Sequence, residues 1–520
     1  MPNRAANQPL KTENGQAIAD AGRWETRQEL PIETEILIPD YLPAVFKIVK
    51  CLLEPVVMQN AVSERHWQCG GYLRCTVYYQ SDEPGARLYR TEQKYAFEKS
   101  VDLPEGNYLP GAAYLWGETE YCNCRAVSEH RLDIRGAYTL NAAISMAEPV
   151  ELITSLQGCG VEQRQKSLDG MICTVCEEHT FTAETTFPLS AENETVLDIT
   201  GAFVQGTSGV HTGQLDFSGT LVMQLCCRIP DGEQLVVHNK DVPVAQTVEL
   251  PAAAEGDNAV LWGEVLSCTL TAAEKEKEAA LSITWKLHAE LWHPVSYAAV
   301  SDAYSTICEM KLEKKVFHQF APLADVDTTL PVVIEDTLPD AGVSVVGCFV
   351  SVGVPQLAAV EKGNGCRISG RGAAHLLCTD ERGEFNCYDK TFQWNLPDSL
   401  PGTMSQCLPH LHASLRRVVS SHTANKARVE LELHVGGIVL QRSTHEIISS
   451  AVPGEEYSRQ DEPSLYIYYA CKGENVFEIA RRYHARPDDL AAANHLSVPE
   501  GQRACEMTTD EMCLLIPAAL

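Results

Sequence analysis

Related segments recur along this 520-residue chain at a spacing of about 148 residues. The first marker is a glycine that enters a strand-like run, in CGGYLRCTVYY, FSGTLVMQLCC and SGRGAAHLLC, starting at Cys69, Phe217 and Ser369. The second is AYLWGETEYCNC and AVLWGEVLSCTL, at Ala113 and Ala259, with a weaker counterpart at residues 410–415. The third is ITGAFV, VVGCFV and the looser FKIVKCLL. A repeat of this length predicts several copies of one domain in series.

Within each copy, apolar and polar residues alternate one by one. Residues 429–435 (VELELHV), 281–287 (LSITWKL) and 131–135 (RLDIR) show this period of two, which is typical of strands with one buried face. Gly-containing turns at 83–85, 230–232 and 381–383 fit hairpin tips between paired strands. We therefore predict a mainly β chain with three tandem antiparallel β-sandwich-like repeats.

The predicted boundaries follow the repeats and the polar stretches between them. Residues 1–21 are expected to be unstructured. The repeats are placed at 22–150, 151–300 and 301–451. Residues 452–464 (VPGEEYSRQDEPS) lack apolar periodicity and are rich in charge, so they are predicted to be an exposed linker. A small module occupies residues 465–517.

Charge and hydropathy indicate which classes of partner the chain is expected to bind and in which compartment it is expected to act. The formal net charge of -29 argues against binding nucleic acid or anionic lipid. The first residues are polar and lack the order of an export signal, and no apolar run approaches the roughly 18 residues of a membrane span. Twenty cysteines are scattered through strand-like runs, as expected for buried thiols in a reducing cytosol. A cytoplasmic protein without membrane insertion is expected.

The module at 465–517 shows helical periodicity. Apolar residues from Val476 to Tyr483 recur at helical spacing, after a strand-like YIYYAC run and a turn at Lys472 and Gly473. Asn475 is in the N-cap position, and Pro487 opens a second helix. Asn494 ends that helix, where a left-handed C-terminal cap is expected. The prediction is a βααβ unit of α+β type.

The run YIYYACKGENVFEIARRYHARPDDLAAANHLSVPEGQ, closed by CLLIP, resembles LysM modules. The resemblance implies a shallow groove between the strand-helix turn and the loop before the last strand, which in this family usually binds N-acetylglucosamine glycans. The residues it assigns here are Gly473, Glu474, Asn475, Phe477, Asn494, His495 and Leu496. Gly473-Glu474-Asn475 departs from the family's Gly-Asp-Thr/Ser, and the closing loop RACEMTTDEM is long and acidic. These departures favour a protein partner over a glycan.

The tripled segment resembles the SPOCS domain of bacterial spore-coat proteins, and three copies followed by one LysM resemble coat morphogenetic proteins of the SipL type. The resemblance covers nearly the whole chain, although the third copy lacks the Trp-Gly-Glu segment. It implies a location in the mother-cell cytoplasm, at the forespore surface. It also implies that the LysM module binds a coat-assembling ATPase of the stage IV sporulation protein A type, while the repeats contact other coat proteins or further copies of the chain.

No cofactor, metal site or catalytic site is predicted. Cys173 and Cys176 have C-x-x-C spacing but no second ligand pair, so they are interpreted as buried structural thiols. The pairs Cys122/Cys124 and Cys226/Cys227 are interpreted in the same way. The polar residues between 405 and 422 show no ordered nucleophile and base: His410, His412, His422, Ser405, Ser414 and Ser420. No phosphate-binding glycine motif occurs in a strand-to-helix context.

Three functions remain open at the level of the sequence. The leading hypothesis is a non-enzymatic adaptor of spore-coat assembly. The alternative is a peptidoglycan-binding protein of the cell envelope or spore cortex that uses its LysM module as a glycan clamp. The third is an enzyme anchored by LysM, which is disfavoured because the repeats account for every other domain.

Overall fold

Antiparallel β-strands make up most of the chain in the computed structural model, as the sequence predicted. The structure describes residues 8–517 apart from 64, 82–86, 110, 190–193, 230–234, 273–277, 340–341, 361–364, 424, 459–464, 497–506 and 509. Burial follows the predicted alternation, because Leu281, Ile283 and Trp285 are buried in one strand, as are Val429 and Leu431 in another. Side chains at every second position share one face of a strand, so these residues line one side of a sheet.

The first six strands form two three-stranded antiparallel sheets, with the order β1-β6-β5 in one and β2-β3-β4 in the other. A hydrophobic core lies between them, with Leu30, Leu73 and Leu140 among its members. The strands are β1 (Lys11–Leu37), β2 (Val45–Val62), β3 (His66–Ser81), β4 (Leu88–Asp102), β5 (Ala113–Ser128) and β6 (Arg131–Gln157).

The next six strands pair in the same pattern, in the orders β8-β9-β10 and β7-β12-β11, and a pairing of β8 with β11 at Ala202 and Glu264 joins these two groups in one larger sheet. Their core includes Phe203, Leu221 and Trp285. The strands are β7 (Val161–Pro188), β8 (Thr195–His211), β9 (Gln214–Arg228), β10 (Leu235–Glu249), β11 (Asn258–Ala272) and β12 (Glu278–Ser305).

In the third stretch, two short strands, β14 and β15, take the place of one longer strand, and both pair with β16. A 3-10 turn, Met404–Gln406, precedes β18. Strand β16 lies between this pair and β17, and β19 lies between β13 and β18. The core includes Ala374 and Leu433. The strands are β13 (Cys308–Thr337), β14 (Ser344–Val352), β15 (Gln356–Ala359), β16 (Gly365–Thr379), β17 (Phe385–Pro401), β18 (Cys407–Thr423) and β19 (Lys426–Glu456).

Six strands are far longer than the roughly 3–10 residues usual in globular proteins: β1, β6, β7, β12, β13 and β19 have 27 to 31 residues. Each pair changes register partway along, at Asp20/Gly22, Leu291/Trp292 and Pro322/Ala324. Such bulges bend a strand. Beyond them the pairs form three two-stranded ribbons, which we call the stem.

The three ribbons of the stem share one small core. All six long strands contribute to it, through Ala17, Ala19, Leu152, Leu168, Ala299, Phe317 and Ile447. A second cluster with Ile153, Val300 and Ile448 continues it. The stem therefore joins three stretches of chain that also have cores of their own.

Polar contacts link the three stretches in every pairing. Tyr78 donates a hydrogen bond to Asp198 (2.5 Å), which joins the first to the second. The carboxylate of Glu290 lies 2.9 Å from the His410 ring, both buried, between the second and the third. The Lys50 ammonium lies 2.6 Å from Asp389, between the first and the third.

Several predicted boundaries need correction. Residues 11–21 were expected to be unstructured but pair with β6 as the start of β1. The stretches meet at turns around residues 158–160 and 306–307, several residues later than predicted, because the long strands run on into the stem. The predicted linker 452–464 begins inside β19, which ends at Glu456, and its residues 459–464 lie outside the described residues.

The predicted hairpin tips can be compared at one position. The turn at 381–383 joins β16 to β17, where Gly383 has a φ of 77° that favours glycine. The tips at 83–85 and 230–232 fall outside the described residues.

The C-terminal module, residues 465–517, has the predicted order of elements: β20 (Leu465–Ala470), α1 (Val476–Arg482), α2 (Pro487–Ala493) and β21 (Met512–Pro517). The two strands pair antiparallel, and the helices cover one side around Val476, Leu490 and Leu514. The Asn475 side chain caps α1, as predicted, by accepting from Phe477 N and Glu478 N. Asn494 ends α2 as its C-cap, as predicted, but it is not left-handed, since its φ is -109° and the left-handed residue is the next one, His495.

Candidate functional site

The module rests on the stem through the face of α1. The ring of Tyr304, near the end of β12, packs edge-to-face on Phe477 with 5.1 Å between ring centroids. Its hydroxyl donates to the Ala485 carbonyl oxygen at 2.6 Å. Phe477 is only 9% exposed, so this predicted site residue is an internal contact between module and stem.

Charged pairs surround this aromatic contact. Arg481 binds Asp302 (2.7 Å) and Arg486 binds Glu162 (2.8 Å), each pairing the module with a strand of the stem. Burial raises the pKa of Glu162, although Arg486 opposes that shift. Arg164 donates to the Asn475 side chain (2.7 Å) and lies over the Phe477 ring. Because the arginines are partly exposed, each pair contributes modestly, and the buried aromatic contact dominates the docking.

Replacing Tyr304 by alanine should loosen the module from the stem. The change removes the ring packed on Phe477 and the hydrogen bond to Ala485, a loss of about 1–2 kcal/mol, or roughly 5- to 30-fold in the docking equilibrium. Amide hydrogen exchange in α1 should become faster by a similar factor. Tyr304→Phe removes the hydroxyl alone and should give a smaller change. Equal exchange in both variants and the wild type would contradict this docking.

The predicted turn residues are engaged within the module. Gly473, at a φ of 79°, donates its N–H to the Thr508 carbonyl oxygen. The Glu474 carboxylate accepts from the Tyr468 hydroxyl (2.9 Å) and from the Cys471 N–H (3.0 Å). The nearby carboxylate is the main reason that the pKa of Tyr468 is raised. Glu474 therefore stabilises the turn that it was expected to present to a ligand.

The residues after α2 also have structural contacts. Asn494 exchanges two hydrogen bonds with the backbone of Leu515, which satisfies one edge of β21. Leu496 packs against the module core, and His495 is exposed. The structure thus joins Gly473, Glu474 and Asn475 in one turn, while Asn494 and Leu496 support the strands. Most of the acidic closing loop lies outside the described residues.

An exposed apolar surface lies on the other side of the module, and the sequence analysis missed it. Ile467 and Leu515 are directly paired, as are Tyr469 and Cys513. All four are exposed, with Tyr469 at 80%, and Leu465 continues the row. We call Leu465, Ile467, Tyr469, Cys513 and Leu515 the ribbon face. The alternation of residues in β20 indicates this surface, since Tyr466 and Tyr468 pack against the module core and the residues that alternate with them point outward.

Two of the histidines considered for catalysis pack against other side chains of the fold. His410 is buried against Glu290, and His412 lies beside the rings of Trp262 and His434. Cys176 is exposed, so the interpretation of a buried thiol is wrong there, and the register of β7 against β12 shifts nearby.

Sulfur and metal-ligating side chains from separate strands meet at two points of the fold. Three thiols converge between the sheets of the first stretch, with Cys51 Sγ 3.2 Å from Cys122 Sγ and 3.6 Å from Cys75 Sγ. Among the described residues, three side chains of metal-ligating type gather at one point, on or beside β8, β9 and β10: Glu194, Cys227 and His238. Neither group lies in the C-terminal module.

Comparisons with known proteins assign no family to the chain. No protein-family model matches it, and neither does any curated protein or solved structure. In the described part of the chain, no helix combines the length and the apolar character needed to cross a membrane.

Proposed function

We propose that this chain is a non-enzymatic adaptor of spore-coat assembly, with three SPOCS-like β-sandwich repeats and a LysM-like module. The module binds a protein, a coat morphogenetic ATPase of the stage IV sporulation protein A type. The repeats form the scaffold that holds the module and contact other coat proteins at the forespore surface, in the mother-cell cytoplasm.

The ribbon face is the observation that carries this proposal. It places two aliphatic side chains and a highly exposed tyrosine, Ile467, Leu515 and Tyr469, side by side on a rigid two-stranded support. Contiguous exposed apolar surface marks interaction sites, and tyrosine is among the residues that contribute most to protein interfaces. A sugar site needs several polar groups to orient the ligand, and the aliphatic side chains of this surface supply none.

The docking of the module favours the same surface. Asn475 and Phe477, on one wall of the groove implied by the family, are engaged by Arg164 and Tyr304 of the same chain. The ribbon face is left exposed by that contact. A partner can therefore bind there without displacing the module from the stem.

The order of strands supports the repeat interpretation. The glycine markers that begin at Cys69, Phe217 and Ser369 fall in β3, β9 and β16. Each of these strands lies between its neighbours in the chain: β3 between β2 and β4, β9 between β8 and β10, and β16 between the β14/β15 pair and β17. The two Trp-Gly segments fall in β5 and β11, which occupy equivalent positions beside β6 and β12. Equivalent sequence markers in equivalent strands are expected of repeated domains.

The test is a binding measurement between the full chain and the purified coat ATPase. Tyr469→Ala should raise Kd by roughly 30-fold, the effect of losing a hot-spot side chain worth about 2 kcal/mol, and Ile467→Ser should also weaken binding. The control is Tyr41→Ala, because Tyr41 is equally exposed, at 84%, but lies just before β2 and outside the module. Its Kd should equal that of the wild type.

A second arm of the same experiment offers insoluble peptidoglycan and chitin-type oligosaccharides. The adaptor function predicts no saturable binding to either. Binding to the glycans without binding to the ATPase would overturn the proposal in favour of an envelope or cortex protein. Equal ATPase binding by the Tyr469 variant and the wild type would remove the ribbon face from the interface.

A further inference from the structure

Three neighbouring strands bring together side chains of three different ligand types. Cys227 is the penultimate residue of β9, and its partners are Val196 on β8 and Val236 on β10. Glu194 directly precedes β8, and His238 lies two residues beyond Val236. The register of these strands therefore brings a thiol, a carboxylate and an imidazole together at one end of the second stretch.

The distances between the ligand atoms are short. His238 Nε2 lies 3.0 Å from Glu194 Oε2, and one atom of each of the three side chains lies within 4.8 Å of the other two. Ligand atoms around a tetrahedral zinc ion, at bond lengths of about 2.0–2.3 Å, are roughly 3.3–3.8 Å apart. Shifts of about 1 Å or less would bring all three atoms onto one ion.

The site is enclosed by protein. The side chains of Glu194 and Cys227 are both fully buried, and that of His238 is 13% exposed. Burial and the adjacent carboxylate raise the pKa of Cys227 to about 12, so the thiol carries its proton when no cation is present. A bound divalent cation reverses this effect, because it stabilises the thiolate and releases the proton.

We propose that Glu194, Cys227 and His238 bind one Zn²⁺ ion. One thiolate, one imidazole and one carboxylate form a set that suits this borderline-soft cation, whereas Mg²⁺ and Ca²⁺ prefer all-oxygen ligands. The three protein ligands leave a fourth position for solvent. The ion ties β8, β9 and β10 together at one end of their sheet, independently of the adaptor function of the module.

The experiment measures metal in the purified full chain, prepared without a metal-binding tag. After incubation with Zn²⁺ and dialysis, the wild type should retain about one equivalent by mass spectrometry of the metal. Cys227→Ser and His238→Asn should each retain less than about a tenth of that amount, since loss of even a group that only supports a ligand typically costs about 10- to 100-fold in metal affinity. Circular dichroism of each variant checks that its strands have formed.

Two matched variants serve as controls. Cys226→Ser changes another buried thiol in the same strand, and adjacent residues face opposite sides of a sheet. His211→Asn changes an exposed histidine that is also paired with a carboxylate. Both should retain zinc like the wild type. With Co²⁺ in place of Zn²⁺, the thiolate charge-transfer absorption should persist in Cys226→Ser and disappear in Cys227→Ser.

The opposite result is expected if Glu194, Cys227 and His238 form only a hydrogen-bonded cluster that binds no metal. In that case the wild type retains no zinc after dialysis, and a chelator leaves its thermal midpoint unchanged. Either that result, or equal retention by the wild type and both ligand variants, would overturn the proposal. Loss of zinc from the Cys227 and His238 variants alone, with their strands intact, would establish it.

Discussion

Trp285→Ala should lower the free energy of unfolding by about 3–5 kcal/mol, the range for removing a large aromatic side chain from a core. The indole is almost fully buried in the core of the second stretch. It stacks on Phe203 with 5.1 Å between ring centroids and lies at the same distance from Phe181. Strand β12, which carries Trp285, is paired along both edges, with β7 and with β11, so neighbouring side chains cannot fully collapse into the cavity.

The loss can be measured as a lower midpoint of chemical unfolding, followed by circular dichroism because the substitution removes a fluorophore. Trp116→Ala is the matched control, since Trp116 is half-buried and its loss should cost less. Equal midpoints for the two variants would show that the Trp285 ring is not the centre of a packed core.

Asp198→Ala should lower the free energy of unfolding by a comparable amount, because it removes a buried charge that pairs with groups on another stretch of the chain. The buried carboxylate accepts a hydrogen bond from the Tyr78 hydroxyl and lies 2.9 Å from the Arg90 guanidinium. Burial raises the pKa of Tyr78 well above its ordinary value, so the phenol stays a hydrogen-bond donor. Removing Asp198 leaves the buried Tyr78 hydroxyl without its acceptor and leaves Arg90 with Glu92 as its remaining carboxylate. The loss should be about 3 kcal/mol, at the lower end of the range for breaking a buried ion pair.

This loss falls between the first and second stretches, so it should also reduce the cooperativity of unfolding. Calorimetry of Asp198→Ala should show a lower and broader transition than the wild type. Asp216→Ala is the control, because Asp216 pairs with exposed His211 at the surface and should cost less than about 1 kcal/mol. A similarly small change in Asp198→Ala would contradict a structural role for this contact.

The sequence predicted those features that depend on contacts between residues close together in the chain. Alternation identified strands such as residues 281–287, because every second side chain had to be buried. Asn475 was identified as an N-cap, because its side chain bonds to backbone only two and three residues away. Both are local consequences of side-chain chemistry and need no knowledge of the rest of the fold.

The stem could not be predicted in the same way. The start of β1, from Lys11 to Gln16, is mostly exposed and polar, so it carries no apolar alternation. Its partner strand lies at the far end of the first stretch, around Gln157. The contact of Phe477 with Tyr304 and the convergence of Glu194, Cys227 and His238 have the same origin, because each depends on strand register across distant parts of the chain.

The pairing of Lys11 with Gln157 has a consequence for synthesis of the chain. Ribosomes add about 5–20 residues per second, so β1 waits on the order of ten seconds for its partner β6 to emerge. During that interval its backbone is an unpaired edge, which is the kind of surface through which nascent β-proteins aggregate. The charged and amide side chains at its start keep that edge soluble until the ribbon closes.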